Sequence, residues 1–141
     1  MRHLLLALIL TFFTSLAYAQ INKSKSEVMQ FMSNDNTWTF EKSARSNEGY
    51  EYLSYSIPTK VSSNGQVILS TKGFYFKNDS CKLIRLVKTN NQLNDVIKEL
   101  NSKFTSVGNN IWYDVKENST YEIKLTENSS VFWVDERPFK N

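Results

Sequence analysis

Two segments of the chain place apolar residues at the spacing of an amphipathic helix. The stronger segment carries one continuous apolar stripe, formed by Leu93, Val96, Ile97, Leu100 and Phe104. Its steps of three and four residues match the period of an α-helix with one buried face. Residues 89–92 can cap the start of this helix, and residues 106–110, which include Gly108, are expected to end it.

The second segment begins with a recognisable helix start. Ser24 and Glu27 have the spacing of a capping box, in which each side chain accepts a hydrogen bond from the backbone amide of the other residue. Apolar residues then follow at helical spacing: Val28, Phe31 and Met32. The polar residues 33–36 are expected to end this helix.

The rest of the chain alternates apolar and polar residues in short runs between turn residues, which predicts strands. One predicted strand begins at Trp38, and the others cover residues 50–57, 67–71, 73–77, 81–87, 111–117, 120–126 and 131–135. Pro58 is expected to stop the strand before it, and residues 78–80 are expected to turn a hairpin. The order of elements favours an α+β two-layer sandwich, with two helices packed on one face of a mainly antiparallel sheet.

The two halves of the chain resemble each other. Residues 28–32 are followed by Trp38, and residues 96–100 are followed by Trp112 in a similar way. Such short matches arise either from two related helix-plus-strands halves or by chance, and the sequence leaves both explanations open.

Residues 1–19 have the three parts of a signal peptide. A short, positively charged start precedes an apolar stretch over residues 4–16, and small residues precede the expected cleavage between Ala19 and Gln20. The apolar stretch is shorter than the roughly 20 residues that a membrane-spanning helix needs. We therefore expect one domain over residues 20–141, periplasmic or secreted, with no membrane span after the signal is removed.

Charge and residue content argue against several function classes. The chain has 17 Lys and Arg residues and 14 Asp and Glu residues, and this near balance argues against a dedicated nucleic-acid binder. The only histidine, His3, falls in the predicted signal, so we expect no histidine-based catalytic triad or zinc site. The four glycines are scattered and form no phosphate-binding loop. We expect no cofactor, no metal site and no enzymatic activity.

Cys81 is the only cysteine, so the chain has no internal disulfide. Two interpretations of this residue stay open: a reactive thiol that pairs with a partner, and a small residue buried on a strand. Unpaired cysteines are among the most buried residue types, which favours the second interpretation. The oligomeric state is not set by the sequence.

Alternation along the predicted strands places several aromatic residues among polar neighbours: Tyr50, Tyr52, Tyr75 and Trp112. These residues are expected on the sheet face turned away from the helices. Tyrosine and tryptophan dominate the hot spots of protein interfaces, which makes these four residues candidates for binding a partner. Alternatively, they are partly buried cross-strand pairs that stabilise the sheet. Trp38 and Trp133 are expected in the core.

A resemblance covers about the last half of the predicted mature chain. Residues 74–81, the helical segment 93–104 and residues 110–112 resemble small secreted proteins of Bacteroidota-type bacteria that have no assigned activity. The helix-then-sheet order is also similar in outline to β-lactamase-inhibitor-like domains and to small outer-membrane assembly lipoproteins. The chain departs from the first by lacking disulfides and from the second by lacking a lipidated cysteine, and we transfer no functional residue from either.

These patterns favour a secreted or periplasmic protein-binding module that recognises an envelope or secreted protein through the aromatic sheet face. The alternative is a small-ligand carrier or envelope enzyme with a cleft between the helices and the sheet.

Overall fold

The computed structural model describes residues 20–127 and 129–140, so the predicted signal peptide with its Ala19 lies outside the described residues. The first half of the chain consists of α1 (Lys25–Ser33), β1 (Thr39–Arg45), β2 (Glu51–Val61), β3 (Val67–Lys77) and β4 (Ser80–Thr89). A 3-10 turn (Asn90–Gln92) then leads into α2 (Leu93–Lys103), β5 (Thr105–Gly108), β6 (Ile111–Asp114), β7 (Ser119–Leu125) and β8 (Val131–Pro138).

The eight strands form one antiparallel sheet in the order β1-β2-β3-β4-β8-β7-β6-β5. Each half of the chain is therefore a helix followed by a four-strand meander, and the pairing of β4 with β8 joins the two meanders. The predicted α+β class, with two helices and a mainly antiparallel sheet, is confirmed.

Local hydrogen bonds at the helix starts agree with the sequence patterns. At α1, Ser24 Oγ accepts from the amide of Glu27 at 3.3 Å, and the Glu27 carboxylate accepts from the amide of Ser24 at 2.8 Å. Before α2, Thr89 and Gln92 form a second capping box around the 3-10 turn. The predicted turn at residues 78–80 is also present, with Asn78 and Asp79 both at positive φ.

Both helices bury residues in one hydrophobic core with the sheet. Val28 and Met32 of α1 and Val96 and Leu100 of α2 are buried there. The largest fully buried side chains of the sheet are Tyr121, Phe74, Phe76 and Phe132. Residues of both helices therefore belong to the same hydrophobic core as the sheet.

The structure differs from the predicted strands at four places. The predicted strands 67–71 and 73–77 form one continuous strand, β3, and the predicted strand 111–117 ends at Asp114. Strand β2 continues through Pro58 to Val61. A register shift between Ile57 and Lys60 takes the proline out of the ladder with β3, and β1 begins opposite Ser56, so the proline has no partner in β1 either. Residues 105–108 form the edge strand β5 and are not a helix-ending loop. All four residues of β5 are exposed and paired on one side only, so they lack the alternation that identifies a strand.

Candidate functional site

One face of the sheet carries no helix among the residues that the structure describes. Side chains alternate between the two faces of a strand. On β3 and β4, Phe74 and Ile84 are buried under the helices, whereas Tyr75 and Arg85 are partly exposed on the opposite side. We call this opposite side the open face. Its principal side chains are Lys42, Tyr52, Tyr75, Arg85, Glu122, Lys124, Trp133, Asp135 and Arg137.

Stacked tyrosines occupy the part of the open face formed by the first half of the chain. Tyr52 and Tyr75 are direct partners across β2 and β3, with ring centroids 5.7 Å apart and an interplanar angle of 26°. Gly73 gives the Tyr75 ring its room, since a Cβ at this position would lie 3.1 Å from Tyr75 Cε2. The Lys42 ammonium lies 5.6 Å from the centroid of the Tyr52 ring, on the solvent side.

Tyr50 adjoins this pair. It precedes β2 by one residue, and the Lys77 ammonium lies 5.6 Å from its ring centroid. Three of the four candidate residues, namely Tyr50, Tyr52 and Tyr75, therefore lie near one end of the open face, each partly exposed. Two of their rings lie beside a lysine, so this end combines aromatic surface with positive charge.

A charged network occupies the middle of the open face, where the two halves of the sheet meet. The Arg85 guanidinium donates from Nε and Nη2 to the two carboxylate oxygens of Asp135, at 2.7 and 2.9 Å. Its central carbon lies 4.3 Å from the centroid of the Trp133 ring. Lys124 and Arg137 approach the same carboxylate at 3.4 and 3.1 Å. One carboxylate thus holds three cations around a partly exposed tryptophan.

The electrostatic environment keeps Asp135 ionised. Its side chain is fully buried, and burial alone raises the pKa of a carboxyl group. Hydrogen bonds from Arg85 and Arg137, with the charges of Arg85 and Lys124, outweigh this effect and hold the pKa of Asp135 below its usual value. The network is therefore charged at neutral pH, and it fixes the position of the Arg85 guanidinium.

The structure corrects the expected position of Trp112. This residue is 4% exposed and lies on the helix-facing side of β6, where its Nε1–H donates to Asn101 Oδ1 of α2 at 2.8 Å. On this strand Ile111 and Tyr113 share one side, and Trp112 and Asp114 share the other. Each side therefore carries one strongly apolar side chain and one side chain with a polar group, so alternation alone did not determine which side faces the helices. The buried Asp114 on the same side accepts hydrogen bonds from the amides of Lys116 and Glu117.

Trp133 was expected in the core, and the structure places it on the open face instead. Its strand neighbours Phe132 and Val134 are buried, so alternation places Trp133 and Asp135 on the other side. The sequence did indicate this position, because the charged Asp135 lies two residues after Trp133 and so points to the same side of the strand. Arg85 was also missed, since its pairing with Asp135 depends on the contact between β4 and β8, 50 residues apart in sequence.

A buried polar cluster lies on the helix-facing side of the second half. Glu136 of β8 is 3% exposed and accepts a hydrogen bond from Ser119 Oγ at 3.2 Å. Burial, together with the nearby charge of Asp114, raises the pKa of Glu136 to about 7, although hydrogen bonds from Tyr121 and Ser119 oppose the shift. Glu136 does not line the cleft described below, so we assign this cluster a structural role.

Cys81 is fully buried on β4. Burial raises the pKa of its thiol to about 12, and Glu136 adds to the shift. A thiol in this environment carries almost no thiolate at neutral pH, and the thiolate is the reactive form. The structure therefore gives Cys81 the chemistry of a small core residue.

A cleft of about 400 Å³ opens between the end of α1 and the strands β1 and β2. Its walls contain the side chains of Met29, Met32, Ser33, Asp35, Asn36, Trp38, Thr39, Phe40 and Tyr55. Phe40 and Tyr55 meet edge to face with centroids 5.5 Å apart, and Tyr55 meets the core residue Phe74 in the same way at 5.9 Å. The cleft thus connects an exposed aromatic rim with the core.

The described residues contain no group of three or more His, Cys, Asp or Glu side chains arranged to hold a metal ion. Within the same residues, no helix has both the length and the apolar character needed to cross a membrane. No protein-family model, curated protein or solved structure matches the chain. The fold defines the class, an α+β protein with an eight-strand antiparallel sheet, and any function has to be argued from its surfaces.

Proposed function

We propose that the chain is a secreted or periplasmic protein-binding module that recognises its partner through the open face. The observation that carries the proposal is the Trp133–Arg85 pair beside the Tyr52–Tyr75 stack, on a sheet surface that neither of the two described helices covers. Tryptophan, tyrosine and arginine are the residue types most enriched in the hot spots of protein interfaces. The signal-peptide pattern of residues 1–19 supports the proposed location.

The rigidity of this surface favours recognition. Arg85 is held by a bidentate ion pair and by the Trp133 ring, and Tyr75 is held by its stack on Tyr52. Side chains fixed before binding lose less conformational entropy when a partner docks, which leaves more of the contact energy as affinity.

The edges of the sheet are less suited to binding than its face. Strand β1 carries Glu41, Lys42 and Arg45 and a register shift after Phe40, and β5 is four residues long with a shift after Ser106. Charged residues, bulges and short length are the means by which proteins prevent another strand from pairing with a sheet edge. A partner that adds a strand is therefore disfavoured.

The charge of the open face indicates the chemistry of the partner. Basic side chains outnumber carboxylates on this surface, with Lys42, Lys77, Arg85, Lys124 and Arg137 against Glu41, Glu122 and Asp135. The Asp135 carboxylate is already bound by three of these cations. The face is complementary to a protein surface that combines apolar side chains with an excess of Asp and Glu.

The test has two stages. Tagged chain 20–141 is used to capture partners from the envelope and secreted fractions of its source organism, with and without crosslinking. The affinity of each purified partner is then measured by calorimetry for the wild type and for Trp133→Ala and Tyr75→Ala. We expect each substitution to weaken binding by about 30-fold, as truncation of a hot spot costs about 2 kcal/mol or more. Raising the salt concentration should weaken binding as well.

Phe31→Ala is the matched control, because Phe31 is an aromatic residue of α1 that is 43% exposed and lies outside the open face. Its affinity should equal that of the wild type. Unchanged affinity in the folded Trp133 and Tyr75 variants would rule out the open face as the site. Failure to recover any stoichiometric protein would instead contradict the protein-binding function and favour the ligand-carrier alternative.

A further inference from the structure

A band of apolar side chains crosses one end of the open face. Val61 and Val67 are 69% and 48% exposed, and the other members of the band are partly exposed. All of them point to the side of Arg85, as alternation along the strands and direct cross-strand pairing require. We call these residues the apolar band: Val61, Val67, Leu69, Val87, Val131 and Trp133. Exposed apolar patches of this kind mark interaction sites in proteins.

Cross-strand pairing places the members of the band side by side. Val61 is the direct partner of Val67 across β2 and β3, and Val87 is the direct partner of Trp133 across β4 and β8. Leu69 lies between these two pairs on β3. Four neighbouring strands make the band about 14 Å wide, and its extent along them is about 13 Å. Its diagonal of about 19 Å equals the length of about 13 residues of α-helix.

The charges beside the band lie on one side of it. Arg85 precedes Val87 by two residues on β4, and Lys124 is the direct partner of Trp133 across β7 and β8. In the network around them, Arg85, Lys124 and Arg137 stand against the carboxylates of Asp135 and Glu122, which leaves an excess of positive charge. At the far side of the band, the turns 62–66 and 126–130 contain one charged residue, Glu127.

An occupant of this surface has to satisfy its own backbone. The strands β2, β3, β4 and β8 each have a neighbour on both sides, so their backbone groups pair within the sheet. They offer no ladder to a molecule that lies on the face. A helix pairs its own backbone groups and presents an apolar stripe, whereas an extended segment would leave its N–H and C=O groups unpaired over the apolar band.

We infer that the apolar band docks an amphipathic α-helix of the partner protein, with acidic residues along the flank that faces Arg85 and Lys124. The apolar stripe of this helix extends over about three turns, which matches the diagonal of the band. The inference rests on the proposed protein-binding function, and it names the part of the partner that the open face recognises.

A display library tests the inference before the partner is known. Random peptides of about 16 residues, enough for four helical turns, are selected on the chain 20–141. They are counter-selected on the variant that carries both Val67→Ser and Trp133→Ala. We expect the enriched peptides to place apolar residues at steps of three and four, with Asp and Glu concentrated on one flank. Enrichment of peptides with strand-like alternation or an excess of Lys and Arg would overturn the inference, and so would no enrichment over the variant.

The strongest peptide is then titrated into the ¹⁵N-labelled chain. We expect it to shift the indole N–H signal of Trp133 and the amide signals of Val67 and Val87 in a saturable way. Val67→Ser should weaken binding by about tenfold, because the helix no longer buries the valine methyl groups. Val115→Ser is the matched control, since Val115 is 72% exposed in the turn after β6, outside the band. Equal affinities of the two variants would contradict docking on the band.

Lys124→Gln separates the charge from the apolar contact. It should weaken the acidic peptide by about threefold and leave unchanged the affinity of the same peptide with Gln in place of Glu and Asp. Lys116→Gln is the matched control, because the Lys116 side chain is 81% exposed in the turn after β6. Equal losses for the acidic and the neutral peptide would overturn the assignment of the acidic flank.

The outcomes separate this inference from the proposed function. Tyr75 lies outside the apolar band, so Tyr75→Ala should bind the peptide like the wild type and still weaken the whole partner. If partner binding depends on Trp133 and Tyr75 but no helical peptide is enriched, the helix inference fails and the protein-binding function stands. An apolar patch beside cations also suits an anionic lipid surface. Sedimentation of the wild type, but not of Val67→Ser, with vesicles of equal parts phosphatidylcholine and phosphatidylglycerol would overturn the helix in favour of lipid.

Discussion

Arg85 and Asp135 face each other as direct partners in the register between β4 and β8, the only strand pair that joins the two meanders among the described residues. Their two hydrogen bonds run between the side chains on the open face. The same guanidinium covers the Trp133 ring. One buried carboxylate therefore links the halves of the sheet and positions the two residues on which the proposed partner site depends.

Asp135→Asn tests the contribution of this carboxylate to stability. The amide has nearly the same shape but cannot balance Arg85, Lys124 and Arg137, so we expect the free energy of unfolding to fall by about 2–4 kcal/mol at pH 7. Urea unfolding followed by tryptophan fluorescence measures the change. The pKa of Asp135 is lowered from its usual value of 3.8, so its stabilisation is present above that pH and is lost as the pH falls further. The difference in the free energy of unfolding between the variant and the wild type should accordingly shrink in strong acid.

Glu122→Gln is the control for this substitution. Its side chain is 42% exposed and forms an ion pair with Lys124, its one such partner in the described part of the chain, so its loss should cost less than about 1 kcal/mol. An equal effect of the two substitutions would show that burial of Asp135 is not what gives the pair its strength.

The sequence predicted those parts of the fold that depend on local patterns. The stripe of α2, the capping box at Ser24 and the hairpin at residues 78–80 all follow from neighbours within about one helical turn or one tight turn. The fold class followed from the order of these elements. Strand β5 was missed because its exposed residues carry no alternating pattern.

The candidate site was predicted only where alternation was unambiguous. Tyr52 and Tyr75 each share one side of their strand with polar residues, and both lie on the open face. Trp112 lies on a strand whose two sides are equally mixed, and it faces α2, where its indole donates a hydrogen bond to Asn101. Arg85 and the Trp38 cleft depend on contacts between segments distant in sequence, which no local pattern contains.

Ser24→Ala should destabilise the protein by about 1 kcal/mol, the usual cost of losing an N-cap residue. The substitution removes the hydroxyl that accepts from the Glu27 amide and donates to the Glu27 carboxylate at the start of α1, and it leaves the bond from the residue 24 amide to that carboxylate in place. Urea unfolding measures the loss. Ser26→Ala in the same turn is the control, as the Ser26 hydroxyl contacts only the Ser24 hydroxyl in the described structure, and its stability should stay within about 0.5 kcal/mol of the wild type. Equal losses in both variants would contradict a role for the capping box.

Cys81 should resist thiol reagents as long as the protein is folded. Its side chain is fully buried, and burial raises the pKa of the thiol to about 12. At pH 8 the reagent therefore cannot reach the sulfur, and almost none of the reactive thiolate is present. The reaction with an aromatic disulfide reagent should be slow in buffer and complete at once in denaturing urea. The reaction rate in buffer should rise in the Asp135→Asn variant, because that variant unfolds more often. Rapid labelling of the native wild type would show that Cys81 is accessible, contrary to the structure.

Glu136→Gln should change how stability depends on pH. Burial raises the pKa of Glu136 to about 7 in the folded protein, above its usual value of 4.5. The folded state therefore holds this proton more tightly than the unfolded state does. The resulting stabilisation is fully present below about pH 4.5, and it is lost as the pH rises through 7. A glutamine at this position cannot ionise, so the variant should lose this component of the pH dependence.

The measurement is urea unfolding of both proteins at intervals between pH 5 and pH 7.5. The free energy of unfolding of the glutamine variant, relative to that of the wild type, should rise by up to about 3 kcal/mol between pH 5 and pH 7.5, because one pKa unit corresponds to about 1.4 kcal/mol. Lys72 is a buried cation on the same side of the sheet, and burial lowers its pKa to about 8, so it remains mostly charged in the chosen range. Glu122→Gln again provides the exposed control, with a profile parallel to that of the wild type. Parallel profiles for Glu136→Gln as well would mean that Glu136 ionises at the same pH in the folded and unfolded chain, despite its 3% exposure.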